Sequence, residues 1–318
     1  MATNARILIS DKLAHEGVEV FQNAGFEVDV NTGLKPDELY KIIANYQGLV
    51  VRSATKARGD FWQHCNGLKV IGRAGQGVDN IDLDAASGHG TWVMNTPGGN
   101  NVSAAEHAIA LMMSISRHVA NATASMRAGK WEKSKFGGSE VTGKTLGLVG
   151  LGKIGSIVAD RAQGLRMNVI ASDPFVTQQT APKGVVIAPL DEVLANADYV
   201  SIHCPLVDAT RNLIGADELA KMKKSAYLIH AARGGIVNEK DLYDALTAGK
   251  IRGAALDVWE SEPTAADNPL LSLPNVVATP HLGAATAEAQ VRVAVQIAEQ
   301  IVAFFNTGDV QNPVNQIS

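Results

Sequence analysis

Short apolar runs alternate with longer stretches of helical spacing along most of the chain. In the first hundred residues, five such runs predict strands, at 6–9, 26–30, 48–51, 68–71 and 91–94. Each run is followed by a segment in which apolar residues recur every three or four positions. Strands that alternate with helical patterns predict βαβ units, and therefore a parallel sheet.

Turn-forming residues interrupt this rhythm at 95–101, where we expect a hinge. An apolar helix follows to about Arg117, and Ser103 and Glu106 have the spacing of a capping box at its start. A basic, glycine-ended loop at 130–138 comes next. A second series of strand and helix patterns runs from Lys144 to about Pro280, and the tail at 284–305 has helical spacing. The pattern therefore predicts a second parallel α/β region.

Composition excludes several classes of protein. A chain of 318 residues with 46% hydrophobic and 19% charged residues is typical of a globular protein large enough for two domains. A net charge of −4 argues against a nucleic-acid partner. No apolar run is long enough to span a membrane, and charged residues follow the first strand too early for a signal peptide. Two distant cysteines indicate a reduced, cytoplasmic setting, and no cluster suggests a metal.

A glycine motif opens the second series. Gly150, Gly152 and Gly155 stand between an apolar strand and a helical run, which is the context that a dinucleotide-binding turn requires. The first glycine allows the turn, the second a close pyrophosphate, and the third close helix packing. Asp173 ends the next strand, where a carboxylate binds ribose hydroxyls and repels the extra phosphate of NADP, so we expect NAD. The alternative is that Asp173 only caps the turn before Pro174.

Three chemically distinctive residues end later apolar runs. Arg233, Glu262 and His281 would supply a cation for a substrate carboxylate, an acid that orients a base, and the base itself. Each alone could equally be a surface residue, but together beyond a cofactor-binding fold they favour hydride transfer. We interpret His230 as a buried strand residue and His203 as a residue that shapes the cofactor pocket.

The segments 150–155, 230–237, 256–263 and 279–284 resemble the signatures of the D-2-hydroxyacid dehydrogenase family, and the resemblance covers essentially the whole chain. Segments 50–56, 71–80, 94–97, 103–106 and 129–132 are most similar to the branch that acts on a phosphorylated substrate. The resemblance implies two Rossmann-like parallel-sheet domains of the α/β class. These are a discontinuous flavodoxin-like substrate-binding domain at 1–97 and 285–318, and an NAD-binding Rossmann domain at 98–284. It also implies a homodimer, or a tetramer, built through the helix after the hinge.

The resemblance also implies roles for single residues. Arg233 grips the substrate carboxylate, His281 is the acid/base, and Glu262 holds His281. Asp173 binds the adenosine ribose. The other expected NAD contacts are Gly150, Gly152, Lys153, Ile154, Gly155, Cys204, Pro205, Ala231, Ala232, Asp257, Gly283, Ala284 and Gln76. The chain departs from the family at Gln76, His230 and Cys204, where threonine, asparagine and threonine or valine are common.

A phosphorylated 2-hydroxy acid needs further cations for its distal group. The expected substrate-binding residues are Arg52, Ser53, Arg73, Gly75, Lys133 and Lys135, with the lysines reaching a neighbouring subunit. Gly72 and Gly75 are expected to let the ligand come close to Arg73. One alternative is an unphosphorylated substrate such as glycerate, hydroxypyruvate or 2-hydroxyglutarate. The other is an NAD-sensing corepressor, which would also keep Arg233, Glu262 and His281. Because the sequence stops at Ser318, we expect no feedback through an amino-acid-binding regulatory domain.

Overall fold

The chain divides into two compact units in a computed structural model that describes residues 5–317. One unit contains the residues up to Asn100 together with those from Ala284 onward, and the other is Asn101–Gly283. The predicted domain limits, 97/98 and 284/285, therefore lie within a few residues of the observed divisions. Residues 1–4 and 318, which the prediction assigns to the substrate-binding domain, lie outside the described residues.

The first unit is built on a parallel sheet of five strands in the order β2-β1-β3-β4-β5. This is the flavodoxin-like order, so the predicted fold of this unit is confirmed. Its strands are β1 (Arg6–Ile9), β2 (Glu27–Val30), β3 (Gly48–Val51), β4 (Val70–Arg73) and β5 (Trp92–Asn95). Its helices are α1 (His15–Asn23), α2 (Pro36–Ile42), α3 (Leu83–Gly88) and the C-terminal α10 (Ala287–Thr307).

The C-terminal helix completes the core of the first unit. A Cβ atom on Gly72 would lie 2.5 Å from Ile301 Cδ1 and 2.6 Å from Ile297 Cγ1. The missing side chain in β4 therefore lets α10 pack onto the sheet, and both isoleucines are fully buried. The expectation that Gly72 leaves room for a ligand beside Arg73 is wrong, because apolar side chains of α10 fill that space.

The second unit has a parallel sheet of seven strands in the order β12-β11-β10-β9-β6-β7-β8, as the Rossmann prediction requires. Its strands are β6 (Thr145–Val149), β7 (Asn168–Ser172), β8 (Val185–Ile187), β9 (Tyr199–Ile202), β10 (Tyr227–His230), β11 (Gly253–Leu256) and β12 (Val276–Ala278). Its helices are α4 (Asn101–Ser116), α5 (Val119–Arg127), α6 (Lys153–Gly164), α7 (Leu190–Asn196), α8 (Ala216–Lys221) and α9 (Glu239–Thr247). The apolar pattern does not single out β8 or α5.

The strand order of the second unit reverses at β6, which has β7 on one side and β9 on the other. In open parallel sheets, ligands bind beyond the carboxyl ends of the strands at such a reversal. Gly150 directly follows β6, and His203 directly follows β9. The fold therefore places the predicted dinucleotide turn at the position where this architecture binds cofactors.

The helix after the hinge starts earlier than the capping-box spacing predicts. Ser103 lies inside α4, and its buried hydroxyl makes no hydrogen bond with any described residue. The capping-box prediction is therefore wrong, because Asn101 already has helical conformation. None of the helices within residues 5–317 combines the length and apolar character needed to cross a bilayer.

Candidate active site

The glycine turn has the geometry that a dinucleotide requires. Gly150 has a φ of +97°, and a Cβ atom there would lie 2.7 Å from the Cys204 backbone nitrogen. A Cβ atom on Gly155 would collide with the Gly150 carbonyl, so this glycine lets α6 start directly against the turn. A Cβ atom on Gly152 would meet no described atom within 4 Å. The turn is therefore closed on the protein side and open at Gly152, where the free N–H groups of α6 can receive a pyrophosphate.

The Asp173 carboxylate is hydrogen-bonded to the backbone of the glycine turn and to that of the segment after its own strand. Its two carboxylate oxygens accept hydrogen bonds from the backbone N–H groups of Leu151, at 2.7 Å, and Phe175, at 2.8 Å. Asp173 therefore does cap the turn before Pro174, as the alternative interpretation predicts. Each carboxylate oxygen has a second lone pair, and the half-buried side chain remains accessible to ribose hydroxyls. These groups fit NAD.

The predicted base and its partner are in direct contact. His281 Nδ1 lies 2.6 Å from Glu262 Oε2, and the other oxygen of Glu262 accepts the Trp259 backbone N–H at 3.2 Å. Both side chains are more than one-third exposed. Because the carboxylate accepts the Nδ1 proton, Nε2 of the neutral ring is left to accept a proton from a substrate.

The loop that carries His281 is held by Asp257. His281 has a left-handed φ of +55°, and its backbone N–H donates to the Asp257 carbonyl at 2.8 Å. The Asp257 carboxylate accepts the backbone N–H groups of Leu282, at 2.7 Å, and Gly283, at 2.9 Å. A backbone conformation that is unfavourable for most residues is therefore fixed by one residue, Asp257, through both its backbone carbonyl and its carboxylate.

Two further side chains complete the environment of Asp257. Thr279 Oγ1 donates to its carboxylate at 2.6 Å, and His107 Nε2 lies 3.0 Å from Oδ1. Burial acts to raise the pKa of Asp257, but the bonds from His107, Thr279 and Leu282 outweigh it and hold the pKa below its usual value. Asp257 is predicted as an NAD contact. In the structure its carboxylate is bonded to donors of the protein, and no part of the residue is exposed.

Sequence reasoning missed His107 and Thr279. His107 lies in the middle of the apolar helix α4, where a lone histidine gives no motif. The one available signal for His107 was an imidazole within an Ala-rich, mostly apolar segment.

The turn after β10 sets the position of Arg233. A Cβ atom on the next residue, Gly234, would collide with the Trp259 carbonyl, so the chain after Arg233 lies against the segment that leads to Glu262. The Arg233 side chain is half-buried, and Nη1 donates to the Ala232 carbonyl at 2.7 Å. The ends of β10 and β11, which are neighbours in the sheet, therefore bring two of the three predicted catalytic residues to one edge.

The other strand-end histidines are poor candidates for the base. His203 Nε2 contacts Ser201 Oγ at 2.8 Å, and burial, with a smaller effect of His230, lowers the pKa of His203 to about 3. His230 is only 2% exposed, and burial lowers its pKa to about 4, against weaker opposing effects of the Arg233 backbone, Asp257 and Glu262. An effective base has a pKa near the working pH, which neither ring has.

These two histidines should make stability depend on pH. Their folded pKa values lie below the unfolded value of about 6.5, so the unfolded state takes up protons first and stability falls as the pH drops from about 6.5 towards 4. Urea unfolding of wild type and His230→Asn between pH 7 and 4.5 should show a shallower decline for the variant. His15→Asn, at an exposed position, is the control and should follow wild type. Parallel curves for wild type and His230→Asn would show that His230 is protonated without cost.

The remaining predicted NAD contacts lie at the ends of the same strands or in the other unit. Lys153 and Ile154 are the first two residues of α6. Burial raises the pKa of the Cys204 thiol to about 11. Gln76 and Ala284 belong to the first unit. The predicted positions that lie within three residues of the ends of strands β9 and β10 are Cys204, Pro205, Ala231 and Ala232.

The predicted phosphate-binding arginines end neighbouring strands of the first unit. Arg52 follows β3 and is half-buried, and its Nε has no hydrogen-bond partner among the described residues. Burial lowers its pKa, which the Asp11 carboxylate partly offsets. Arg73 is the last residue of β4, and its guanidinium occupies the space that a side chain on Gly75 would fill. Ser53, beside Arg52, is exposed.

The predicted lysines lie in the loop after α5, within a short 3₁₀ helix at Lys133–Phe136. Lys135 Nζ is 2.6 Å from Glu132 Oε1, so its charge is balanced within the loop. Lys133 is exposed.

Comparison with known proteins identifies relatives of both units. Residues 109–283 match the family described as D-isomer specific 2-hydroxyacid dehydrogenase, NAD binding domain. A D-3-phosphoglycerate dehydrogenase of Archaeoglobus fulgidus is 47% identical over 98% of this chain, but the match covers 59% of that enzyme. The chain thus spans little more than half the length of that relative.

Other relatives match from end to end. A hydroxypyruvate reductase of Thermotoga maritima is 44% identical over 93% of this chain and 97% of its own length. Among solved structures, the TT0316 protein of Thermus thermophilus superposes with a TM-score of 0.88 at 35% identity, covering 97% of this chain and 99% of that one.

Proposed function

Because the chain belongs to the D-isomer specific 2-hydroxyacid dehydrogenase family, we propose that it oxidises D-3-phosphoglycerate to 3-phosphohydroxypyruvate with NAD, the reaction that opens serine biosynthesis. The reaction class rests on one observation, the contact between His281 and Glu262 at the edge of an NAD-binding sheet. The choice of substrate rests on the identity of 44–47% with enzymes named D-3-phosphoglycerate dehydrogenase.

The chain's own residues would act as follows. Arg233 binds the substrate carboxylate through its planar guanidinium. Nε2 of neutral His281 accepts the proton of the C2 hydroxyl group, and Glu262 stabilises the imidazolium that results. Bound NAD supplies the acceptor for the hydride that leaves C2.

The distal phosphate would be bound by Arg52 and Arg73, with Lys133 of a neighbouring subunit adding positive charge. The unpartnered Nε of Arg52 supports this role, since a half-buried guanidinium nitrogen without an acceptor favours an anionic ligand. Lys135 is the weaker candidate of the two lysines, because Glu132 already neutralises it.

A second candidate substrate is hydroxypyruvate, reduced to glycerate by the same groups in reverse. The specific observation in its favour is the identity of 44%, over 93% of this chain, with the Thermotoga maritima hydroxypyruvate reductase.

Turnover assays with NAD and D-3-phosphoglycerate, D-glycerate or D-2-hydroxyglutarate test the proposal, together with hydroxypyruvate and NADH in the reverse direction. The highest kcat/KM is expected with D-3-phosphoglycerate. A higher value for an unphosphorylated substrate would reject the phosphoglycerate assignment. A chain that binds NAD but turns over none of these substrates would favour a sensor.

We further propose that the chain forms a homodimer through the region after the hinge. Val119 and Met126 lie seven residues apart on one face of α5 and are 52% and 55% exposed, and Trp131 is 80% exposed. Light scattering should give twice the mass of one chain, and Met126→Asp should shift it towards one. Val186→Asp, an equally exposed apolar position, is the control. A monomeric wild type would refute the dimer.

A cytoplasmic location is also proposed, since Cys65 and Cys204 are both free. Cell fractionation that recovers the protein outside the cytoplasm would refute it.

A further inference from the structure

The imidazole of His107, on helix α4, contacts the residues that hold the loop bearing His281. His107 Nε2 lies 3.0 Å from Asp257 Oδ1 and 3.2 Å from Thr279 Oγ1. The His107 side chain is 18% exposed, and the Asp257 side chain is not exposed at all. This contact joins the helix that begins the second unit to the strand ends β11 and β12.

The buried Asp257 carboxylate is held by four donors, from His107, Thr279, Leu282 and Gly283. A carboxylate removed from water is tolerated only when hydrogen bonds replace its hydration, and loss of one partner leaves part of the charge uncompensated. Two of its donors are the backbone N–H groups of Leu282 and Gly283, which immediately follow His281. Whatever holds the Asp257 carboxylate in place therefore holds this segment.

His281 depends on that segment for its direction. Its left-handed backbone conformation is uncommon for a residue other than glycine and persists only where neighbouring bonds fix it. The bond from its own N–H goes to the Asp257 carbonyl, and the Thr279 carbonyl accepts the Trp259 indole N–H at 3.2 Å. A shift of the Asp257 side chain would change where the imidazole points, although the pair with Glu262 could persist.

We propose that His107 is a positioning residue, which acts through Asp257 to fix the segment from Thr279 to Gly283 and thereby aims the His281 imidazole at the substrate hydroxyl. The catalytic part of this inference rests on the proposed function, whereas the effect on the loop does not. His107 does not itself transfer a proton to the substrate, because its Nε2 is engaged with Asp257 and Thr279.

Two substitutions separate the N–H donor from the volume of the ring. His107→Gln places an amide N–H near the position of Nε2, whereas His107→Leu fills the space without a donor. We expect His107→Leu to lower kcat about tenfold, equivalent to about 1.4 kcal/mol of lost transition-state stabilisation, with little change in the KM for NAD. His107→Gln should recover most of this loss. The control is Glu106→Gln, at the exposed neighbouring position on α4.

Amide hydrogen exchange of the free protein gives a readout that needs no substrate. A peptide covering residues 279–284 should exchange faster in His107→Leu than in wild type, while a peptide covering 145–155 should be unchanged. His107→Gln should exchange like wild type. Equal melting temperatures would exclude general unfolding as the cause. If His107→Leu is not folded, faster exchange at 279–284 in His107→Gln than in wild type would overturn the proposal.

Unchanged exchange at 279–284 in a folded His107→Leu would overturn the proposal. So would equal defects in the Leu and Gln variants, because packing of the ring rather than the donor would then be responsible. If wild type turns over no 2-hydroxy acid, the proposed function fails, but the exchange result still decides whether His107 fixes the loop.

Discussion

Replacement of His281 by asparagine is expected to lower kcat by about 10²–10⁴-fold, the usual contribution of a positioned acid–base group. The asparagine amide can still donate to Glu262, and asparagine tolerates the left-handed conformation that His281 adopts. The substitution therefore removes the proton acceptor with little disturbance of the loop. Steady-state kinetics with D-3-phosphoglycerate measures the loss.

Binding of NADH by this variant should be unchanged, because the glycine turn and Asp173 are untouched. Fluorescence titration with NADH is the matched measurement, and His203→Asn is the comparison variant, expected to retain far more activity. If His281→Asn kept nearly normal turnover, another group would have to accept the hydroxyl proton, and the assignment of the base would be wrong.

Replacement of Arg52 or Arg73 by alanine is expected to raise the KM for D-3-phosphoglycerate by about 10–150-fold, the equivalent of one charge-assisted contact worth roughly 1.5–3 kcal/mol. The KM for D-glycerate should change little, because this substrate lacks the phosphate. The comparison of the two substrates in each variant isolates the phosphate from the carboxylate.

Arg58→Ala is the matched control, since Arg58 is an exposed arginine of the same unit and donates to the Asp79 carbonyl. Arg58→Ala should leave the KM values for D-3-phosphoglycerate and D-glycerate near those of wild type. Equal losses for both substrates in Arg52→Ala and Arg73→Ala would mean that these arginines bind the common carboxylate end. The phosphoglycerate assignment would then lose its main physical support.

The fold was largely predictable because parallel strands bury both faces and appear as continuous apolar runs. The strand pattern predicted the five strands of the first sheet to within two residues, but β8 in the second sheet is three residues long with one exposed position, so no such run marks it. The α5 helix was missed because none of its residues is buried, which removes the periodic pattern. Strand β4 extends to Arg73, which shows that a strand can end in a charged residue.

The site was predictable where a chemical group stands in a motif and unpredictable where it acts from a distant element. Gly150 and Asp173 carry local signals. His107 lies 150 residues before Asp257, and only the packing of α4 on the sheet brings the two together. Gly72 carried a misleading signal, because a glycine required for helix packing cannot be distinguished in sequence from one required for ligand approach.

The bond between the Asp173 carboxylate and the Leu151 amide restricts how this protein could be converted to NADP use. Removing the negative charge with alanine would also remove the acceptor that holds the first peptide of the glycine turn, so the exchange would weaken binding of both cofactors. Asparagine or serine keeps an oxygen at that position and removes the charge. We therefore expect a change of coenzyme preference in this chain to require asparagine or serine in place of Asp173. A cation in the loop beyond Pro174 would then be added.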